Sequence, residues 1–160
     1  MFRLPLFLAA LLFVPTFASG RPCKDDPKAP AESPVKVTLV VILANKTDTK
    51  INPKLATLAK EVQKRNEEFT GFSIHQTLDK SIAVGASHNF ELPEKQTATI
   101  TAMKGKDKDG RIELTVKLPG LDEVTYTCVC DKFFPIVTPF KLKTGETVMV
   151  AILAKPCTGK

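Results

Sequence analysis

The sequence predicts an α+β domain: one amphipathic helix packed on a mostly antiparallel sheet that curls towards a barrel or a sandwich. Three observations carry this. Residues 35–43 (VKVTLVVIL) are apolar at Val35, Val37, Leu39, Val41 and Leu43, and again at Val40 and Ile42 between them, the pattern of a central strand covered on both faces. Only residues 52–62 show convincing helical spacing. Beyond Gly71 the chain breaks into short alternating runs separated by Gly and Pro.

In order, the central strand runs from 35 to about 44, and 45–50 (NKTDTK) is a loop. Asn52 is a favoured N-cap and Pro53 supplies the backbone angle suited to the first helical position. Leu55, Leu58, Ala59 and Val62 then share one face, and Lys54, Lys60, Glu61, Lys64 and Arg65 fall largely on the other, with an end expected near 66–68. Phe69 and Phe72 re-enter the core around Gly71, so strand, helix and strand suggest a β-α-β unit. Short strands follow at 72–78, 81–84 and 89–92. Residues 97–103 and 111–118 form a hairpin with its tip at Asp109-Gly110. In its second arm Ile112, Leu114, Val116 and Leu118 face the core, while Arg111, Glu113, Thr115 and Lys117 face water. Strands at 124–130 and 133–140 lead to 147–154, which is apolar on both faces and belongs beside the first strand.

The organisation is a leader, a tether and one domain. Residues 1–20 have the form of a signal peptide: Arg3, an apolar run of about a dozen residues too short to span a bilayer comfortably, and small residues at Ala18-Ser19-Gly20. Residues 21–34 hold four prolines and little to bury, an extended segment ahead of a single domain at 35–160. Removal of the leader leaves 22 basic and 17 acidic side chains, well mixed along the chain, a balance that concerns solubility first. No later segment is long and apolar enough to cross a membrane, so the expectation is a secreted or periplasmic protein.

Export makes disulfides the default for Cys23, Cys128, Cys130 and Cys157. Cys128 and Cys130 lie two apart in a strand, on one face, with Cα atoms about 6.5–7 Å apart, at or beyond the reach of an undistorted bridge. The expected arrangement pairs one of them with Cys157 and the other with Cys23. The functional alternative is a thiolate site for copper or zinc on Cys128, Cys130 and Cys157, although Cys-x-Cys is not the spacing of a zinc knuckle. His75 is expected on the solvent face of its strand and His88 in a polar loop, where the adjacent Ser87 cannot serve as its nucleophile. No carboxylate sits in an apolar run that would raise its pKa for acid–base work. Asp107 to Gly110 lacks the further ligands of a calcium loop. No phosphate-cradling loop and no aromatic, basic face for nucleic acid is present, and no cofactor is implied. Asn45-Lys46-Thr47 is a formal glycosylation triplet. Residues 132–139 (KFFPIVTP) are an apolar stretch framed by prolines, read either as packing against the helix or as a lip that shows Phe133 and Phe134 to a partner.

The order of a signal peptide, a Val/Ile/Leu strand ending in Leu-Ala, NPKLATLAKEV (52–62), FELP (90–93) and the closing VMVAILA strand resembles small exported bacterial proteins of unknown function. That resemblance covers most of the mature chain and implies no activity. One helix on an antiparallel sheet, with SIAVG at 81–85, is also similar in class to cystatin-type inhibitors. Their Gln-x-Val-x-Gly hairpin would need Gln at 81 and Val at 83, and their Pro-Trp hairpin is missing from a chain without Trp. The expected function is therefore a non-catalytic exported module. It would bind a protein or an anionic cell-surface component through its sheet or through Lys141, Lys143, Lys155 and Lys160, with thiol-dependent metal binding as the alternative.

Overall fold

The structure, a computed structural model, describes residues 33–157. The expected leader, Cys23 and Lys160 lie outside the described residues. Eight strands form two four-stranded sheets: β1 (Val35–Asn45), β2 (Gly71–Ile82), β3 (Ser87–Leu92), β4 (Gln96–Lys104), β5 (Arg111–Lys117), β6 (Val124–Val129), β7 (Phe134–Lys141) and β8 (Thr147–Pro156). One α-helix, α1 (Ala56–Gln63), sits between β1 and β2 in the chain. The first sheet has the order β2-β1-β8-β7 and the second is the meander β3-β4-β5-β6, and every strand pair is antiparallel.

β1 is central, as its two apolar faces require, and it pairs with the equally apolar β8 from Val35↔Pro156 to Ala44↔Thr147. Its inward residues Val35, Val37, Leu39, Val41 and Leu43 join Val148, Val150, Ile152 and Ala154 of β8 against the second sheet. That sheet contributes Phe90, Ala98, Ile100, Ile112, Leu114, Val116 and Cys128. The expected sheet is thus a sandwich of two open sheets and not a closed barrel. On the outer face of the first sheet, Val40, Ile42, Ala44, Met149 and Ala151 pack against Leu55, Ala59 and Val62 of the helical segment and against Phe69 and Phe72. The layers are helix, sheet, sheet.

The helical segment begins as expected: Asn52 Oδ1 accepts the Lys54 N–H at 3.0 Å, and Pro53–Leu55 forms a 3-10 turn that runs into α1. It ends at Gln63, earlier than expected, because the Arg65 N–H bonds three residues back to Val62 O and tightens the last turn. The β-α-β order holds, but β1 and β2 are antiparallel, so α1 is an insertion in the connection of a long hairpin and not a parallel crossover. Residues 72–78 and 81–82 belong to one strand, not two. A bulge between Val41 and Ile42 explains why alternation misled: Ile74 pairs with Ile42 on the helix side, whereas Leu78 and Ile82 turn to the inner core.

Two further expectations change. Thr115 is 8% exposed, sandwiched in the register Thr101↔Thr115↔Thr125, and its hydroxyl meets that of Thr125 at 2.9 Å. His88 lies on β3 with its ring edge-on to Phe90, centroids 5.0 Å apart, while the Ser87 hydroxyl pairs with Thr101 at 2.7 Å. His75 is exposed, as expected.

The turn joining β3 to β4 places Glu94 (φ 55°) and Lys95 (φ 60°) in the left-handed region, where side chains cost about 1–2 kcal/mol each. Lys95→Gly is expected to raise stability by about 0.5–1 kcal/mol in urea unfolding. Gly71→Ala is expected to lower it, because a Cβ there would lie 2.6 Å from Asn45 Oδ1 and 2.8 Å from the Asp48 carbonyl. A neutral or stabilised Gly71→Ala protein would show that this close approach is not required.

Candidate functional site

α1 has 8 residues and spans about 12 Å. β1 has 11 residues and spans about 35 Å. The helix therefore covers only part of the outer face of the first sheet, and a cleft of about 580 Å³ opens beside it. Its sheet wall is Thr38 and Val40 of β1, Ile74 and Thr77 of β2, and Ala151 of β8. The helical segment supplies Lys54, Leu55, Thr57, Leu58 and Glu61, spaced to share one face. Lys132 and Phe133, just before β7, close the far side.

Phe133, just ahead of β7, and Phe134, its first residue, differ in their surroundings. Phe134 turns inward and meets Tyr126 at 5.2 Å between centroids. Phe133 turns outward, is 45% exposed, and forms the lip of the cleft. Of the 132–139 stretch, Val137 packs on the helix side and Phe134 on the inner core, and Phe133 is the exposed one of the two phenylalanines. Past Phe133 a second cleft of about 730 Å³ continues between α1 and β7, sharing Glu61 and adding Lys64 and Arg65. At the open end of the first cleft, the Thr38 hydroxyl donates to Asp79 Oδ1, which also lies 4.0 Å from Lys36 Nζ.

The polar groups of the first cleft are three threonine hydroxyls, Lys54, Glu61 and Lys132, with no His, Ser or Cys. Nothing in that set joins a nucleophile to a base. The surface suits an apolar body with a small polar end.

The cysteine expectations need correcting. Among the described residues Cys128, Cys130 and Cys157 are unpaired, so neither Cys128 nor Cys130 bonds Cys157, while the pairing expected with Cys23 lies outside the described residues. Cys128 is buried between the sheets opposite Ile112, and Cys130 follows just after the end of β6, partly buried. Cys157 leaves β8 with its N–H on Pro34 O at 2.7 Å, and its thiol donates to Ser81 Oγ at 3.4 Å, towards the β2 edge. β2 and β6 are edge strands of different sheets, which keeps the three sulfurs from converging. Among the described residues no group of three or more His, Cys, Asp or Glu is placed to hold a metal ion.

The lysines expected to act together also separate. Lys141 pairs with Thr147 at one end of β8 and Lys155 sits at the other, about 26 Å away along the strand. The Lys143 N–H donates to Glu94 Oε1 at 2.8 Å, and Lys155 Nζ lies 4.0 Å from Asp131. Asp107 Oδ1 accepts the N–H groups of Asp109 at 2.9 Å and Arg111 at 2.7 Å, so it closes a hairpin tip. Asn45 Oδ1 is likewise engaged, by the Asp48 N–H at 2.8 Å. No described helix is long and apolar enough to cross a membrane.

Burial pushes the Cys128 thiol up from 9.0 to about 12, and the neighbouring Cys130 adds to the shift. Burial also raises Cys130, opposed by Lys106 and assisted by Asp131 and Asp107. Iodoacetamide should therefore label Cys130 and Cys157 in the folded protein and reach Cys128 only on unfolding. Folded Cys128 holds its proton to higher pH than unfolded Cys128. Its contribution to stability is complete below pH 9 and is lost as pH rises towards 12. Cys128→Ala should flatten the fall in urea midpoint between about pH 9 and 11 relative to the wild type. Parallel profiles would remove Cys128 as a cause.

Compared with models of protein families, with curated proteins and with solved structures, the chain matches none.

Proposed function

We propose that this chain is an exported binding module with no reaction of its own, and that it takes its ligand in the cleft between α1 and the outer face of the first sheet. One observation carries the reading: beside the short helix the half-buried Leu58 and Ile74 and the exposed Phe133 make an apolar lining over the buried Val40 and Ala151, while the charged lining residues Lys54, Glu61 and Lys132 are exposed at the rim. Apolar surface in a concave place, about 580 Å³ in volume, is what a small ligand needs to lose its own hydration. The rest of the molecule supports this by contrast. The other large apolar surfaces, on the inner faces of the sheets, are closed against one another. Export rests on the leader-like residues 1–20 alone.

The absence of Trp makes the test simple. Phe133→Trp puts a single indole on the lip of the cleft. A neutral apolar probe, N-phenyl-1-naphthylamine, should bind saturably and quench that indole. Thr77→Trp, made in the otherwise unaltered protein, fills the cleft from an exposed strand position, so the fold should survive while probe binding falls at least tenfold. Unchanged probe binding in folded Thr77→Trp protein would place the ligand elsewhere.

A further inference from the structure

We infer that the ligand of this cleft is an anionic amphiphile: one apolar chain or ring system lying on Val40, Leu58, Ile74 and Phe133, with a single acid head at the rim beside Lys54 or Lys132. Resting on the cleft as the binding site, the ligand's chemistry follows from what lines it. The floor offers threonine hydroxyls as its only polar side-chain groups, so a ligand polar throughout would be dehydrated without replacement hydrogen bonds. An apolar body is required.

The head group follows from the charges. Lys54 and Lys132 line the first cleft and Lys64 and Arg65 the adjoining one, against the single carboxylate Glu61 that the two share. The acidic groups just beyond are already matched: Asp79 lies beside Lys36 and Asp131 beside Lys155. Among the described residues none of those four rim cations is in an ion pair, so an arriving anion displaces no existing partner. A cationic head would have Glu61 alone. Because these cations are solvent-exposed, the preference is modest, and it is a matter of head-group selectivity and not of overall affinity.

Decanoate and decyltrimethylammonium below their micelle concentrations, and 1-decanol below its solubility limit, separate head group from chain. They would be titrated into the full-length protein with affinities read from amide chemical shifts. Decanoate should bind about fivefold more tightly than decanol, and decyltrimethylammonium more weakly than either. The double variant Lys54→Gln/Lys132→Gln, at two exposed positions, should erase the advantage of decanoate while leaving decanol unchanged. Added salt should act in the same direction. Equal binding of decanoate and decanol by the wild type, or tighter binding of the ammonium, would overturn the head-group assignment while leaving the cleft as the site. If none of the three binds, or if all bind equally well after Thr77→Trp, the cleft itself is not the site and both readings fall.

Discussion

A strand that is apolar on both faces has to be covered twice, and most of this fold follows from covering β1. Its inner row is buried by the second sheet and its outer row by the helix and the Phe69–Phe72 segment. β8 carries the same two-faced pattern and shares both covers, so the strands that begin and end the domain become the centre of the first sheet. The second sheet needs only one apolar face, and its strands alternate accordingly, with Ile112, Leu114 and Val116 inward and Arg111 and Lys117 outward. Burial here is non-directional, but the period of two makes it act as a register: a one-residue slip of β1 would exchange its two covers.

The two covers are unequal in reach, and the cleft is the remainder. A sheet can match a sheet along its whole length, whereas 8 helical residues shield about 12 Å of it. The sequence of β1 adapts to this: its outer row is Val40, Ile42 and Ala44 under the helix, then Thr38 and Lys36 where the cover ends. β2 adapts too. The bulge opposite Val41 and Ile42 lets Phe72 and Ile74 serve the helix side and then returns Leu78 and Ile82 to the inner core, leaving Thr77 at the cleft. Phe133 is held at the lip because Phe134, next to it, is fixed inward against Tyr126.

Much of the scaffold was legible in the sequence, and its failures have physical causes. Both two-faced strands, the Asn52-Pro53 helix start, the hairpin of β4 and β5 and the adjacency of β1 and β8 could be read from local pattern. The direction of β2 could not. Strand, helix and strand is the same string whether the helix crosses over a sheet or interrupts a hairpin, and only the pairing with β1 decides. The division of β2 at Lys80 failed for a related reason: an edge strand with one side open to water tolerates Asp79, Lys80 and Ser81 without ceasing to pair. Thr115 looked solvent-facing because it alternates with the inward Leu114 and Val116, yet its neighbours across the strands are threonines that cover it.

The site was much less legible, and the reason lies in its materials. Chemistry-bearing residues draw attention because they are scarce, and in this chain the four cysteines and two histidines did so. Cys128 is core packing, His88 edges onto Phe90, and the three described thiols point to different parts of the fold. The cleft is instead assembled largely from Val, Ile, Leu, Ala and Thr of β1, β2, β8 and the helical segment, with Lys54, Glu61, Lys132 and Phe133 completing it. No window of sequence contains it. Its one advance signal was the Phe133-Phe134 pair, since two large apolar side chains in succession where an edge strand begins are not readily both buried by a single sheet face. One of them had to find cover on the outer side or stay in water, and the half-exposed Phe133 beside an under-covered sheet marks the place where a ligand can complete the layer.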